Sequence, residues 1–428
     1  MALRFWLGTG GDALWSNINN WAATSGGTPG AAVPLSTDDV TFDSAGNNPC
    51  TLNTSFRVCK TLTVVTGYTN TITFTQQLRV SGSITLANDA YTLTGAGPLR
   101  MIAAGTWTTN GKTIPIPVEI GGTTTFTCTL ADALTISSML TLTNTTSTIF
   151  AGTFLITADD CTISGSQTIT LVNDVQINNG TGISDACVLN GAFNWKTGGL
   201  VVNGALTGTA TIFFNGSASW QGSAALSNNV VINTASGIAI SGTVLYLAGT
   251  ITYVAGTVST TGSTLSIGSS CTLDTAGIVW NNIILTAALT LTINSLLTAT
   301  GTLTLPNAAV TFAGSSGFTV GTLTNTTITA TRIYTFTAAR TYTVTTAFTT
   351  VSAAAQTVRF TFTAASSCNF ILGPGATQDV GFLDPTNLNS ASGQTIFTYH
   401  GTITTSPNWI STYRTNSPWQ PPVYQLGG

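Results

Sequence analysis

"LTINSLLTATGTLTL", Leu291 to Leu305, is the stretch whose reading decides the fold. Apolar residues fall at Leu291, Ile293, Leu297, Ala299, Leu303 and Leu305, with Gly301 between, and threonine fills most of the alternate places. A period of two in apolar and hydroxyl residues belongs to strands with one buried and one wet face. The same slots recur in "ITFTQQLRVSGSITL" as Ile72, Phe74, Leu78, Val80, Gly82, Ile84 and Leu86. Leu134, Ile136, Leu140 and Leu142 fit them again, as do Leu200, Val202, Leu206 and Ile212. Ile238, Ile240 and Val244 make a fifth copy, and Tyr342, Val344 and Phe348 a sixth. Each copy reads as a strand, a three-residue corner and a second strand, with its apolar residues pointing inward. "NNVVINTA" at Asn228 lines up in the same way with "NNIILTAA" at Asn281.

Spacing between copies is uneven, from under 40 to over 60 residues. Short strands broken by Gly, Asn-Gly or Asn-Asn also suit a β-sandwich. One phrase recurring through the whole middle of the chain favours a solenoid, where each coil buries its inner face against the next. The expected fold is therefore all-β: an elongated β-solenoid, with a right-handed parallel β-helix favoured and stacked β-sandwich modules as the alternative. The Gly-Gly-x-Gly-x-Asp phrase of calcium-binding β-rolls is absent. The expected divisions are a Trp- and Gly-rich cap over 1–50, Thr-rich coils over 51–365, a last coil and cap over 366–410, and an extended Pro-containing tail over 411–428.

Composition agrees. Only 6% of the 428 residues are charged, against roughly 25% in ordinary soluble proteins. Thr, Ser, Asn and Gly must supply the surface, and β-branched threonine suits a pleated one. The eleven Lys and Arg are scattered singly and net charge is −3, which speaks against nucleic acid as a partner. No apolar run approaches the ~20 residues needed to cross a bilayer, so no membrane insertion is expected. "MALRFWLGTGG" has neither the apolar core nor the cleavage site of an export signal. The seven cysteines read as buried small hydrophobes; only Cys50 and Cys59 are close enough in sequence to suggest a disulfide.

A solenoid exposes core and strand edges at its ends and needs caps. Trp6, Trp15 and Trp21, with Phe5 and Phe42, read as an apolar plug over the first coil, followed by the loop "SGGTPGAAVP" and by Asp38 and Asp39 in turn positions. This opening resembles the N-terminal signature of a group of tailed-phage and prophage virion proteins. Their pattern is approximately R-Y-W-V-G-G-T-G-x-W, then N-W-S, S-G-G-x-x-G-x-x-V-P and D-D-V-x-F-D. Arg4, Trp6, Gly8, Trp15, Asn20, Trp21, Ser25, Gly26, Gly27, Gly30, Val33, Pro34, Asp38, Asp39, Val40, Phe42 and Asp43 occupy those slots. Phe5 replaces Tyr, and "DAL" is inserted before Trp15. The closing "DPTNLNSASGQTIFTYHGTITTSPNW" is similar to the group's final segment, with Gln394 in place of its second Gly. The resemblance implies a β-rich virion component of fibre, spike or decoration type, and no catalytic residues.

Candidate chemistry is sparse. Asp159, Asp160, Asp174 and Asp185 would suit a glycan depolymerase if stacked coils brought them to one face, because glycosidases need two carboxylates about 5–10 Å apart. The competing reading makes each of them a turn former. Lyase chemistry would want a basic or phenolic group beside them, and the region offers Lys196 alone. His400 is the sole histidine, so no triad or His-based metal site can be built on it. "SPWQPPVY" reads as an arm lying on a neighbouring subunit. The sequence thus points to a non-enzymatic virion protein with no cofactor and no metal. Its partners would be itself, as a homotrimer, other virion proteins, and host surface polysaccharide. Depolymerase and bacterial surface adhesin are the alternatives.

Overall fold

The computed structural model describes residues 1–144, 146–351, 359–413 and 423–424. The chain is all-β, a parallel β-solenoid of about 17 turns. Among the described residues only two short 3-10 turns, Ile18–Asn20 and Ser44–Gly46, interrupt the strands. It divides into two compact units, residues 1–218 and 219–428.

Each coil of the first unit has three faces, met in chain order. The first face stacks Leu3–Trp6, Asp39–Phe42, Thr61–Val64 and Ile84–Leu86, and continues to Leu206–Gly208. The second begins with Cys50–Leu52, Thr71–Phe74 and Thr92–Thr94. The third begins with Arg57–Cys59, Leu78–Val80 and Leu99–Met101. Every pairing between these coils is parallel and sets like positions together, so apolar residues stack on apolar ones. Where the corner between second and third faces tightens, one strand serves both. Leu134–Leu142 bends there with a register shift between Ile136 and Met139.

The second unit repeats the plan. Thr250–Ala255, Cys271–Asp274, Leu289–Ile293, Val310–Ala313 and Arg332–Phe336 stack on its second face. Coils continue beyond residue 366, with Ile396–Tyr399 pairing in parallel with Trp409–Tyr413, so the closing segment holds more than one last coil. Of the expected tail, Val423–Tyr424 runs antiparallel to Thr412 and Tyr413. "SPWQPP" lies outside the described residues.

Ile72, Phe74, Leu134, Ile136, Leu291, Ile293, Tyr342 and Val344 all face the core, at 1% exposure or less. The six phrases are nevertheless not equivalent. Val344 lies in the column of Val320 and Ala299, the third face, whereas Ile293 belongs to the second. Leu200 likewise stands over Thr181, Cys161 and Leu140, not over Leu134. "NNVVINTA" pairs with Thr250–Ala255 on the second face, while "NNIILTAA" pairs with Thr264–Ile267 on the first. All three faces carry the same strand-and-corner phrase, so copies one face out of step still align. The true repeat is one coil: Val40 pairs with Leu62, and Cys187 with Leu206.

Outward positions are columns of threonine. Hydroxyls of Thr71 and Thr92 meet at 2.8 Å, and those of Thr73 and Thr94 at 3.3 Å. Truncating Leu291 to Ala should therefore cost about 2–5 kcal/mol in denaturant unfolding, the range of buried leucines. Outward Thr290→Ala should cost under about 0.5 kcal/mol.

Candidate functional site

Three places in the first unit concentrate residues singled out by the sequence or by their chemistry: the closed end, the four aspartates and a small group of charges on the third face.

At the closed end Leu3–Trp6 is itself a strand, pairing in parallel with Asp39–Phe42, so the opening stretch joins the stack as well as covering it. Trp6, Trp15, Trp21 and Phe42 are fully buried. Trp21 stands edge-on to both Trp15 and Trp6, with ring centroids 4.7 and 5.1 Å apart. Phe42 continues the aromatic column to Tyr68 and Tyr91. Burial of each ring contributes about 1.5–3 kcal/mol. The indole N–H groups of Trp6 and Trp21 donate to the carbonyls of Asn48 and Trp15.

The strand edges are closed too. Trp21–Ala22 lies antiparallel on Leu3–Trp6, and the Trp21 carbonyl accepts the N–H groups of Gly30 and Ala31. The inserted "DAL" covers the second face: Thr51 N–H donates to Ala13, and Trp15 N–H to Thr51. Asp12 accepts from Leu14, Asn17 and Asn20. The signature's polar residues are equally committed. Arg4 pairs with Asp38 at 3.5 Å, and Asp38 also accepts the N–H groups of Ala2 and Leu35. Buried Asn20 donates to Asp12 and Leu14 and accepts from Gly10. Asp43 caps the short turn through Gly46, where a Cβ would fall onto the Trp6 carbonyl.

The four aspartates do not converge. Asp159 and Asp160 sit at the corner between second and third faces, Asp174 just ahead of the second face, and Asp185 just after the third. A coil here is about 20 residues, as Gln167 against Cys187 shows, so acids at 159, 174 and 185 fall on three different corners. The condition that stacked coils bring these acids to one face is therefore not met. Each acid serves a neighbouring coil. Asp159 and Asp160 accept from the amides of Asn178 and Asn179, and Asp185 accepts the Gly165 N–H. Asp174 pairs with Lys196 at 2.9 Å and accepts the Asn194 N–H. Its burial works to raise the carboxyl pKa, but the bonds from Lys196 and Asn194 outweigh this and hold it below the usual range.

The charges on the third face escaped the sequence reading. Val58, Arg79, Arg100, Glu119 and Thr141 stack outward in register. Cations that look scattered singly in the chain are thus neighbours in space. Arg100 pairs with Glu119 at 2.8 Å, and Gln77 and Thr143 also donate to that carboxylate. Arg79 gives its Nε to the Gln77 amide oxygen at 2.6 Å, and its guanidinium lies 3.9 Å from the centre of the Phe56 ring. On the coil before, Arg57 has a buried Nε without an acceptor, and burial lowers its pKa. The spacing from 79 to 100 is one coil, a signal readable only once the coil length is known, whereas Arg57 is one place out of step, in register with buried Leu78.

Elsewhere, His400 stacks on Phe382 at 5.2 Å, and its carbonyl accepts from Arg359, which also grips Asp384 through two nitrogens. All seven cysteines, Cys50 and Cys59 included, are free and buried; burial pushes the Cys128 thiol up to about 12. Among the described residues no group of three or more His, Cys, Asp or Glu is placed to hold a metal ion. Among the described residues no helix is long and apolar enough to cross a membrane. A shallow groove on the first face is lined by neutral residues, among them Ser147, Gln167, Thr168 and Val188.

No family model, curated protein or solved structure matches the chain.

Deleting residues 1–43 should expose the first coil and convert soluble protein to aggregate, read by light scattering. A truncated protein that stayed monodisperse would count against the closing role. Acid should also weaken the coils. Asp12 is held below the usual range by Asn17 and the Leu14 N–H, and Asp89 by the N–H groups of Gly67 and Ala90. With Asp174 they contribute stability present above the ordinary carboxylate pKa of about 4 and lost as pH falls through their lower folded values. Melting temperature should be level above about pH 5 and drop below about pH 4. In Asp89→Asn that drop should be smaller.

Proposed function

We propose that the chain is a non-enzymatic structural subunit of a bacteriophage particle: a fibre, spike or surface-decoration protein. In this reading it assembles in the host cytoplasm as a homotrimer, attaches to other virion proteins through its closed end, and contacts host surface polysaccharide. The observation that carries the reading is local. The residues that resemble the virion signature, Arg4, Trp6, Asn20, Trp21, Asp38, Phe42 and Asp43, are those whose side chains close the end of the coil stack. A signature made of closing residues is what a shared attachment-end device would leave in sequence, whereas a shared active site would leave acids or nucleophiles. A depolymerase would need a carboxylate pair free to act on substrate; Asp174 and Asp185 occupy other corners than adjacent Asp159 and Asp160, and all four have partners of their own.

Antibody raised against the purified chain should decorate purified particles from the host strain, and the chain should co-sediment with them. Purified protein should release no reducing ends from host capsule or lipopolysaccharide. Asp159→Asn and Asp185→Asn should leave incorporation unchanged. Label confined to the bacterial surface would replace the virion reading with an adhesin, and cleavage abolished by either substitution would replace it with a depolymerase.

A further inference from the structure

Arg79 is a guanidinium set in place with nothing acidic to meet. Its Nε is taken by Gln77 and its plane is packed against Phe56. The ion pairs among the described residues are Arg4 with Asp38, Arg100 with Glu119, Lys196 with Asp174 and Arg359 with Asp384. Neither Arg79 nor Arg57 is among them. The one glutamate of the chain is already engaged by Arg100, Gln77 and Thr143. The Arg79 guanidinium therefore adds positive charge to the outward face that no ion pair among the described residues offsets, in a chain whose net charge is −3. Immobilising an arginine side chain costs rotamer entropy. Here that cost is met in the free protein, and the terminal N–H edge of Arg79 is left for a ligand. Phe56 beside it keeps 53% of its surface exposed.

We propose that Phe56, Gln77 and Arg79 form a binding site for a carboxylate-bearing sugar, of the kind found in uronate-containing polysaccharides. A planar carboxylate matches the paired N–H groups of a guanidinium edge. The apolar face of a pyranose ring packs on an exposed aromatic ring. Nucleic acid fits less well, because binding along a phosphate backbone wants many cations in a track, and Glu119 ends this one within two coils. This deepens the glycan-contact part of the proposed function and rests on it, while virion incorporation is separate.

The full chain, titrated calorimetrically with polygalacturonate, should bind it, more weakly as salt rises, and should not bind neutral dextran. Arg79→Gln and Phe56→Ala should each weaken binding at least tenfold with an unchanged circular dichroism melt. Arg79→Lys, which keeps charge but loses the planar edge, should recover only part of it. Arg332→Gln, outside this site, should bind as the parent does. Equal binding of dextran, unchanged affinity in Arg79→Gln, no binding of polygalacturonate, or equal binding of single-stranded DNA would each overturn the assignment. Arg79→Gln should enter particles normally, so loss of sugar binding and failure of the virion reading are told apart.

Discussion

In-register hydrogen bonding between successive coils is the constraint from which the rest of the structure follows. Parallel strands lie about 4.8 Å apart, so every side chain meets its counterpart one coil on. Inward, this makes continuous columns such as Leu140, Cys161, Thr181 and Leu200. Outward, it penalises charge, because a lysine column would place like charges next to each other on every coil. Threonine escapes the penalty, since stacked hydroxyls donate to one another as Thr71 and Thr92 do. The 6% charge content is then a condition for stacking, and several of the charges that remain meet a complementary group on a nearby coil. Asp159 has Asn178, Asp160 has Asn179, and Arg100 has Glu119. Arg79 instead meets an aromatic ring and an amide.

The same constraint makes an end costly, since a terminal coil presents both apolar columns and unpaired backbone. The first unit meets the two demands with different residues. Tryptophans cover the column, and an antiparallel pair, the Gly30 and Ala31 N–H groups and the inserted "DAL" occupy the edges. The insertion is thus part of the closure.

The Leu291 phrase was legible because burial on one face imposes a period of two whatever the surroundings. The coil length was harder to read, because all three faces use the same phrase and copies one face apart align as well as true repeats. Tyr342 and Leu291 therefore matched while standing on different faces. That ambiguity carried into the site. Spacing alone left open whether Asp159, Asp174 and Asp185 share a face, whereas a coil of about 20 residues sends them to three corners. It also hid Arg79 and Arg100, whose separation is one coil. Leu3–Trp6 was missed as a strand because its burial lacks regular alternation: Leu3 is exposed and only Trp6 is fully covered. Its strand character comes from its neighbours, Asp39–Phe42 and Trp21–Ala22.

The reversed strand at Trp21–Ala22 separates two properties that fibrous β-structures usually share. A parallel edge can act as a template for the next identical layer, and growth then has no inherent stop. A strand of opposite direction, its outer carbonyl already taken by Gly30 and Ala31, ends the copying at that face. Recombination that gains or loses a whole coil in the interior would change the length of the stack and leave its terminator intact, giving a lineage a simple way to tune reach without redesigning either the core or the cap.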